Sequence, residues 1–141
     1  MQRSASAQWQ GGFISGKGTL STESGVLSYN QYSFSTRFEH GDGTNPEELL
    51  AAAHAGCFTM ALSAQLEKAG SQAEELNTTA TVNLEKVETN WTVTSIHLDV
   101  RGKIPGGDQA IWDTATAAAK SGCPIFQLIN TIITMEATLE V

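Results

Sequence analysis

The stretch Thr44–Phe58, TNPEELLAAAHAGCF, constrains this chain more than any other. Asn45 is a good N-cap, Pro46 suits the first helical position, and Glu47 and Glu48 put negative charge at the positive end of the helix dipole. Lys68 and Gly70 mark the far end, a cation followed by a glycine. Between these signals the residues are apolar nearly all the way round, which predicts a buried helix rather than an amphipathic surface one. Ala51, Ala52, Ala53, Ala55 and Gly56 leave its middle almost bare of side chains, so another backbone is expected to approach closely there.

The flanking segments read as strands. Ser4 to Gly12 alternates Ala5, Ala7 and Trp9 against polar neighbours, and a second short strand is expected near Thr19 to Thr22. Gln31 to Phe38 reads as a third, with Tyr32, Phe34, Thr36 and Phe38 on one side and Arg37 on the other. Beyond the helix, Thr78 to Glu88 and Trp91 to Ile104 predict a hairpin, its Thr and Val content suiting a half-buried sheet. Asp108 caps a helix to about Ser121 with an apolar stripe of Ile111, Ala115, Ala118 and Ala119. Cys123-Pro124 opens a third helix, and Thr131 to Val141 alternates as a last strand. The pattern predicts an α+β fold, an antiparallel or mixed sheet around one long buried central helix. The N-terminal ribbon is too small to bury its own aromatic face, which points to a second subunit covering it.

At 141 residues the chain fits a single domain, 1–141, with a core of its own. A formal charge of −7 with only 8 Lys and Arg argues against nucleic acid and against anionic membrane surfaces. The N-terminus lacks the apolar core of a signal peptide. The longest apolar run, Leu49 to Leu62, is about 14 residues, short of a bilayer span. A soluble, cytoplasmic protein is the expectation. Two cysteines without a CxxC, and three scattered histidines, make a poor zinc site, so no metal or other cofactor is expected.

Four residues are candidates for chemistry. Cys57 becomes a nucleophile only if a cation, a helix start or a base stabilises its thiolate; being mid-helix, it needs a cation from another segment. Arg37 is the first choice and Lys17, between two glycines, the second. Cys123 stands at a helix start before a proline, where free amides favour a thiolate; the plain alternative is a small residue filling a tight turn. Glu47 precedes Cys57 by about 15 Å of helix axis and lies on a different face, so any part it plays at a Cys57 belongs most simply to a partner subunit's site. Its plain alternative is a capping carboxylate after Thr44. His54 shares the side of Cys57, yet no third group orients it, and a packed, hydrogen-bonded histidine is the expectation; His40 and His97 are given no role.

Three blocks, Ser21-Thr22-Glu23-Ser24-Gly25-Val26-Leu27, Thr44-Asn45-Pro46-Glu47-Glu48-Leu49 running to Gly56-Cys57-Phe58, and Gly122-Cys123-Pro124, resemble the OsmC/Ohr family in order and spacing. These are the osmotically inducible protein C and organic hydroperoxide resistance proteins, and the chain is more similar to the OsmC branch. The resemblance implies an OsmC/Ohr-like fold, an intertwined homodimer with two interface sites, and a thiol-dependent peroxidase of oxidative and osmotic stress defence. It implies that Cys57 is the peroxidatic cysteine, that Cys123 resolves it through a Cys57–Cys123 disulfide, and that Glu47 pairs with an arginine beside the thiol. In the Ohr branch that arginine lies where this chain has Lys17; Arg37 is the position for the OsmC branch. The implied partners are an organic hydroperoxide and a thiol or lipoyl-type dithiol reductant. Phe58, Phe34 and Phe126 are candidates for an apolar mouth. Two rival readings remain: a Cys57–His54 hydrolase, and a non-catalytic domain binding apolar ligands.

Overall fold

Asn45 ends one part of the chain and begins the next. Its Oδ1 accepts the Glu48 amide at 2.7 Å, and Pro46 follows as the first residue of the long helix. The computed structural model describes residues 1–141. In chain order these form β1 (Ala5–Gln10), β2 (Lys17–Thr22), β3 (Asn30–Ser33), α1 (Phe34–Phe38), α2 (Pro46–Lys68), β4 (Glu75–Val87), β5 (Asn90–Lys103), α3 (Gln109–Gly122), α4 (Pro124–Leu128) and β6 (Ile132–Glu140). Two compact units result, Met1–Leu49 and Leu50–Val141.

In the first unit β1, β2 and β3 make an antiparallel meander, with Trp9 opposite Gly18 and Gly18 opposite Tyr32. Gly18 is required there, because a Cβ would meet both the Tyr32 and the Trp9 rings. Those rings stand 5.4 Å apart, centre to centre, over the bare glycine. Every residue of β1 is exposed, whereas β2 buries Gly18 and half-buries the residues after it. The strand expected over Gln31–Phe38 stops at Ser33. Ser33 and Thr36 form a reciprocal capping box, Oγ of each accepting the other's amide, and the chain turns into α1. Phe34 and Phe38 then share one helix face, ring centres 4.9 Å apart.

The second unit is built on the mixed sheet β4-β5-β6: β4 and β5 pair antiparallel, β5 and β6 parallel. A parallel pair needs a crossover, and α3 with α4 supplies it. Asp108 Oδ1 caps α3 by accepting the Ala110 and Ile111 amides. The core joins Phe58, Leu62 and Leu66 of α2 to Ile96, Leu98 and Val100 of β5, Ile133 of β6, and Trp112, Ala115 and Ala119 of α3. Each large apolar side chain so buried contributes about 1.5–3 kcal/mol. Trp112, outside the stripe read from the sequence, is the largest of them.

α2 departs from expectation in two respects. Within the chain it is buried along one stripe, His54, Phe58, Leu62 and Leu66, while Ala52, Ala53, Gly56 and Met60 are open to solvent. Its ends fall where Pro46 and Lys68 predict, but at 23 residues the whole helix is long and apolar enough by composition to cross a bilayer, which its apolar run alone was expected not to be. Its Phe58–Leu66 stripe lies in the core against β5 and α3, as in the core helix of a globular protein. Gly70, at φ 72°, closes the helix: its amide donates to Glu67 and that of Ser71 to Leu66.

Candidate functional site

The first unit holds a cation and a carboxylate. Arg37 rides on α1 and Glu47 on the first turn of α2. Nη2 of Arg37 lies 2.7 Å from Glu47 Oε1, while Nε lies 3.1 Å from Oε1 and 3.2 Å from Oε2. Such a fork fixes the guanidinium in direction as well as place. Glu47 is the better shielded of the two, its side chain 13% exposed against 36% for Arg37. The capping role weighed for Glu47 is filled by Asn45, whose Oδ1 accepts the Glu48 amide, while the Glu48 carboxylate accepts the Thr44 hydroxyl at 3.0 Å. Lys17, the second choice for the cation, lies on β2 and makes no ion pair with Glu47.

An aromatic cavity of about 340 Å³ opens beside the pair, walled by Trp9, Phe13, Tyr32, Phe34 and Phe38, with Arg37 and Pro46. Phe13 meets Phe34 edge-on at 5.3 Å, and the Arg37 guanidinium carbon lies 5.2 Å from the Phe38 ring centre. Of the three phenylalanines expected at an apolar mouth, only Phe34 belongs to this cavity. Phe58 is wholly inside the core of the second unit, and Phe126 is packed against that core. Phe13, Phe38 and Trp9 were missed. The four-residue spacing of Phe34 and Phe38 was the signal available for Phe38.

In the second unit the two cysteines are neighbours, although far apart in the chain. Both are reduced, Cys57 partly exposed on α2 and Cys123 fully buried between α3 and α4. Burial pushes the Cys123 thiol up from its ordinary range, and the hydrogen-bonding contact and charge of Cys57 add to that rise. The amides of Ile125 and Phe126 act the other way. They do not close a capping hydrogen bond on the sulfur. The amides at the helix start do favour a Cys123 thiolate, as expected, but desolvation outweighs them and the thiol is pushed up on balance.

His54 is wholly buried, and neither ring nitrogen has a hydrogen-bond partner. Burial lowers its pKa and keeps the ring neutral. The expected hydrogen-bonded histidine is thus buried without the bond. A Cys57–His54 hydrolase needs its imidazole bonded to the thiol, and that bond is missing. No cluster of three or more His, Cys, Asp or Glu side chains is arranged to hold a metal.

A mixed α+β chain presenting two reduced, adjacent thiols and a forked Arg–Glu pair has the equipment of a dithiol redox protein. The chain belongs to the OsmC-like protein family, whose model matches residues 39–138. It is 45% identical over 140 residues to the peroxiredoxin OsmC of Escherichia coli, covering 99% of this chain and 98% of that protein. It is also 33% identical over 89 residues to an organic hydroperoxide resistance protein of Xanthomonas axonopodis, 60% of this chain and 58% of that one. An OsmC-like protein of unknown function from Vibrio cholerae shares the fold at 19% identity, with a TM-score of 0.80 over 98% of this chain and 99% of that one. An organic hydroperoxide resistance protein of Bacillus subtilis does so at 22%, with a TM-score of 0.68 over 97% and 98%.

Proposed function

We propose that this chain is a thiol-dependent peroxidase that reduces organic hydroperoxides to alcohols in oxidative and osmotic stress defence. The observation that carries this reading is the meeting of Cys57 and Cys123, which gives each thiol a distinct part. The names of the Escherichia coli and Xanthomonas relatives support the same chemistry.

Cys57, the more accessible thiol, attacks as thiolate the terminal oxygen of R–O–O–H. The O–O bond breaks, the alcohol leaves after taking a proton, and Cys57 is oxidised to the sulfenic acid. Cys123 then attacks the Cys57 sulfur, a disulfide forms and water leaves. A thiol or lipoyl-type dithiol returns two electrons and two protons by exchange. Arg37 stabilises charge developing on the peroxide oxygens, and Glu47 aims it. The aromatic cavity beside Arg37 suits the organic group of the substrate. No prosthetic group is needed for any of these steps.

Residues 1–141 act as one domain, soluble and cytoplasmic, that works as a homodimer. Spacing along α2 puts Glu47 about 15 Å from Cys57 on a straight helix. That distance supports an Arg37–Glu47 pair serving Cys57 of the partner subunit. The open Ala52–Ala53–Gly56–Met60 face of α2 and the uncovered β1 are surfaces that a second copy would close.

Fully reduced protein mixed with one equivalent of cumene hydroperoxide tests the reading, with peroxide loss and intact mass followed together. Fast peroxide loss with a loss of two hydrogens, absent in Cys57→Ser and slower with hydrogen peroxide, is the expected result. Unmodified protein beside persisting peroxide would overturn it.

A further inference from the structure

Asn45 binds to both segments that carry the ion pair. Its Nδ2 donates to the Thr36 carbonyl at 3.1 Å, one residue before Arg37 on α1. Its Oδ1 accepts the Glu48 amide at 2.7 Å, one residue after Glu47 on α2. A carboxamide carries a donor and an acceptor on one short rigid group, and each is used here on a different helix.

α1 needs such a tie. Five residues are too few to hold a helix alone. The Ser33–Thr36 box fixes its start, but apart from the Arg37 fork itself nothing within α1 sets its distance from the first turn of α2. The intervening loop is pressed against the same residue. A Cβ on Gly43, at φ 136°, would stand 2.5 Å from the Gln31 carbonyl oxygen and 2.9 Å from Thr36 Cγ2. The Thr44 amide donates to that Gln31 carbonyl at 2.9 Å. Thr36, buried beneath Asn45 and Gly43, is the point at which α1 is held, and Arg37 is its next residue.

We propose that Asn45 is a positioning residue of the peroxidase reaction. By spanning α1 and α2 it sets the separation at which the Arg37 fork meets Glu47. The proposal rests on the reading of that pair as the one that serves Cys57. A helix cap alone would make no use of Nδ2.

Aspartate separates the two roles, because it caps as well as asparagine but has no side-chain donor near neutral pH. The test is a double-mutant cycle of Asn45→Asp and Glu47→Gln on the full-length reduced protein. It reads kcat/KM for cumene hydroperoxide, the melting temperature and the ¹⁵N resonance of Arg37 Nε–H. Asn45→Asp is expected to lower kcat/KM by about tenfold, with a melting temperature close to wild type and loss of the protected Arg37 signal. In the Glu47→Gln background it should cost nothing further, since the pair it positions is already gone. Asn45→Gln, which keeps both groups on a longer stem, is expected to restore part of the rate. Wild-type kcat/KM and an unchanged Arg37 signal in Asn45→Asp would overturn the proposal, as would an effect that adds in full to that of Glu47→Gln. A different failure is distinguishable: if Glu47→Gln leaves turnover intact while the Arg37 signal still depends on Asn45, the peroxidase role of the pair falls and its positioning by Asn45 stands.

Discussion

Arg37 holds Glu47 through two of its guanidinium nitrogens, the shortest contact being Nη2 to Oε1 at 2.7 Å. A lysine keeps the charge but not the fork. Arg37→Lys is therefore expected to lower kcat/KM for organic hydroperoxides by about 10- to 100-fold. Glu47→Gln, which leaves the cation present but no longer held, should cause a smaller loss. Because Arg37 is over a third exposed, the pair adds little to stability, and both variants should lie within about 1 kcal/mol of wild type in urea unfolding. Steady-state kinetics beside urea titrations check both halves. An unfolded Glu47→Gln would contradict the assignment to function.

The raised Cys123 thiol leads to a pH prediction for the second half of the cycle. Burial keeps Cys123 protonated, whereas attack on a sulfenic acid needs its thiolate. The rate of disulfide formation should climb with pH through and beyond the ordinary thiol range near pH ~8.5. Rapid quench with intact-mass detection at pH 6.5, 7.5 and 8.5 separates this step from peroxide attack. A resolution rate flat over that range would show that Cys123 is not the limiting base. Cys123→Ser should still consume one equivalent of peroxide and collect Cys57 as the sulfenic acid, which a second equivalent carries to the sulfinic acid.

His54 ties stability to pH in a definite direction. Its folded pKa is lowered by burial, so below the unfolded value near ~6.5 the unfolded chain binds a proton that the folded chain refuses. Stability therefore falls as pH falls through that range, by at most about 1.4 kcal/mol per pH unit from this group. His54→Leu removes the titration and two unpartnered buried nitrogens together. It should unfold with a shallower pH dependence between pH 7 and 5, and at neutral pH match or exceed wild-type stability. Urea titrations at several pH values decide it. A full loss of peroxidase activity in a folded His54→Leu would revive the Cys57–His54 reading.

The helix ends were legible because each rests on local chemistry: Asn45 caps α2, Gly70 closes it and Asp108 opens α3, all within a few residues of the signal. β4 and β5 were legible in their Thr and Val content and β6 in its alternation, while the choice between an antiparallel and a mixed sheet was left open. α1 escaped because Tyr32, Phe34, Thr36 and Phe38 alternate as a strand would, while Phe34 and Phe38 also satisfy helical spacing. The Ser33–Thr36 box decides between them, and with threonine in place of the usual Glu or Gln its sequence signature is faint. At the site, Arg37, Glu47, Cys57 and Cys123 were all singled out, and the structure joins them as Arg37 with Glu47 and Cys57 with Cys123. What sequence could not supply was the balance at Cys123, where burial outweighs the amides, or the missing partners of His54. Both depend on which distant residues close over a side chain.

Gly102 offers a test of the second unit's core. It lies opposite Leu76 on one side and Leu139 on the other, in the middle strand of the sheet. A Cβ there would clash with Cη2 and Cζ3 of Trp112 and stand 3.2 Å from Leu76 Cδ2. Trp112 is fully buried in α3 and has nowhere to retreat without moving the helix. Gly102→Ala should thus destabilise by about 1–3 kcal/mol through overpacking, despite the better strand propensity of alanine. Adding Trp112→Phe, whose smaller ring leaves room for the methyl group, should recover part of that loss, so the two substitutions should be non-additive. Urea unfolding of wild type, both single variants and the double variant measures the coupling. If Gly102→Ala were neutral, the close approach of β5 to α3 at Trp112 would be wrong.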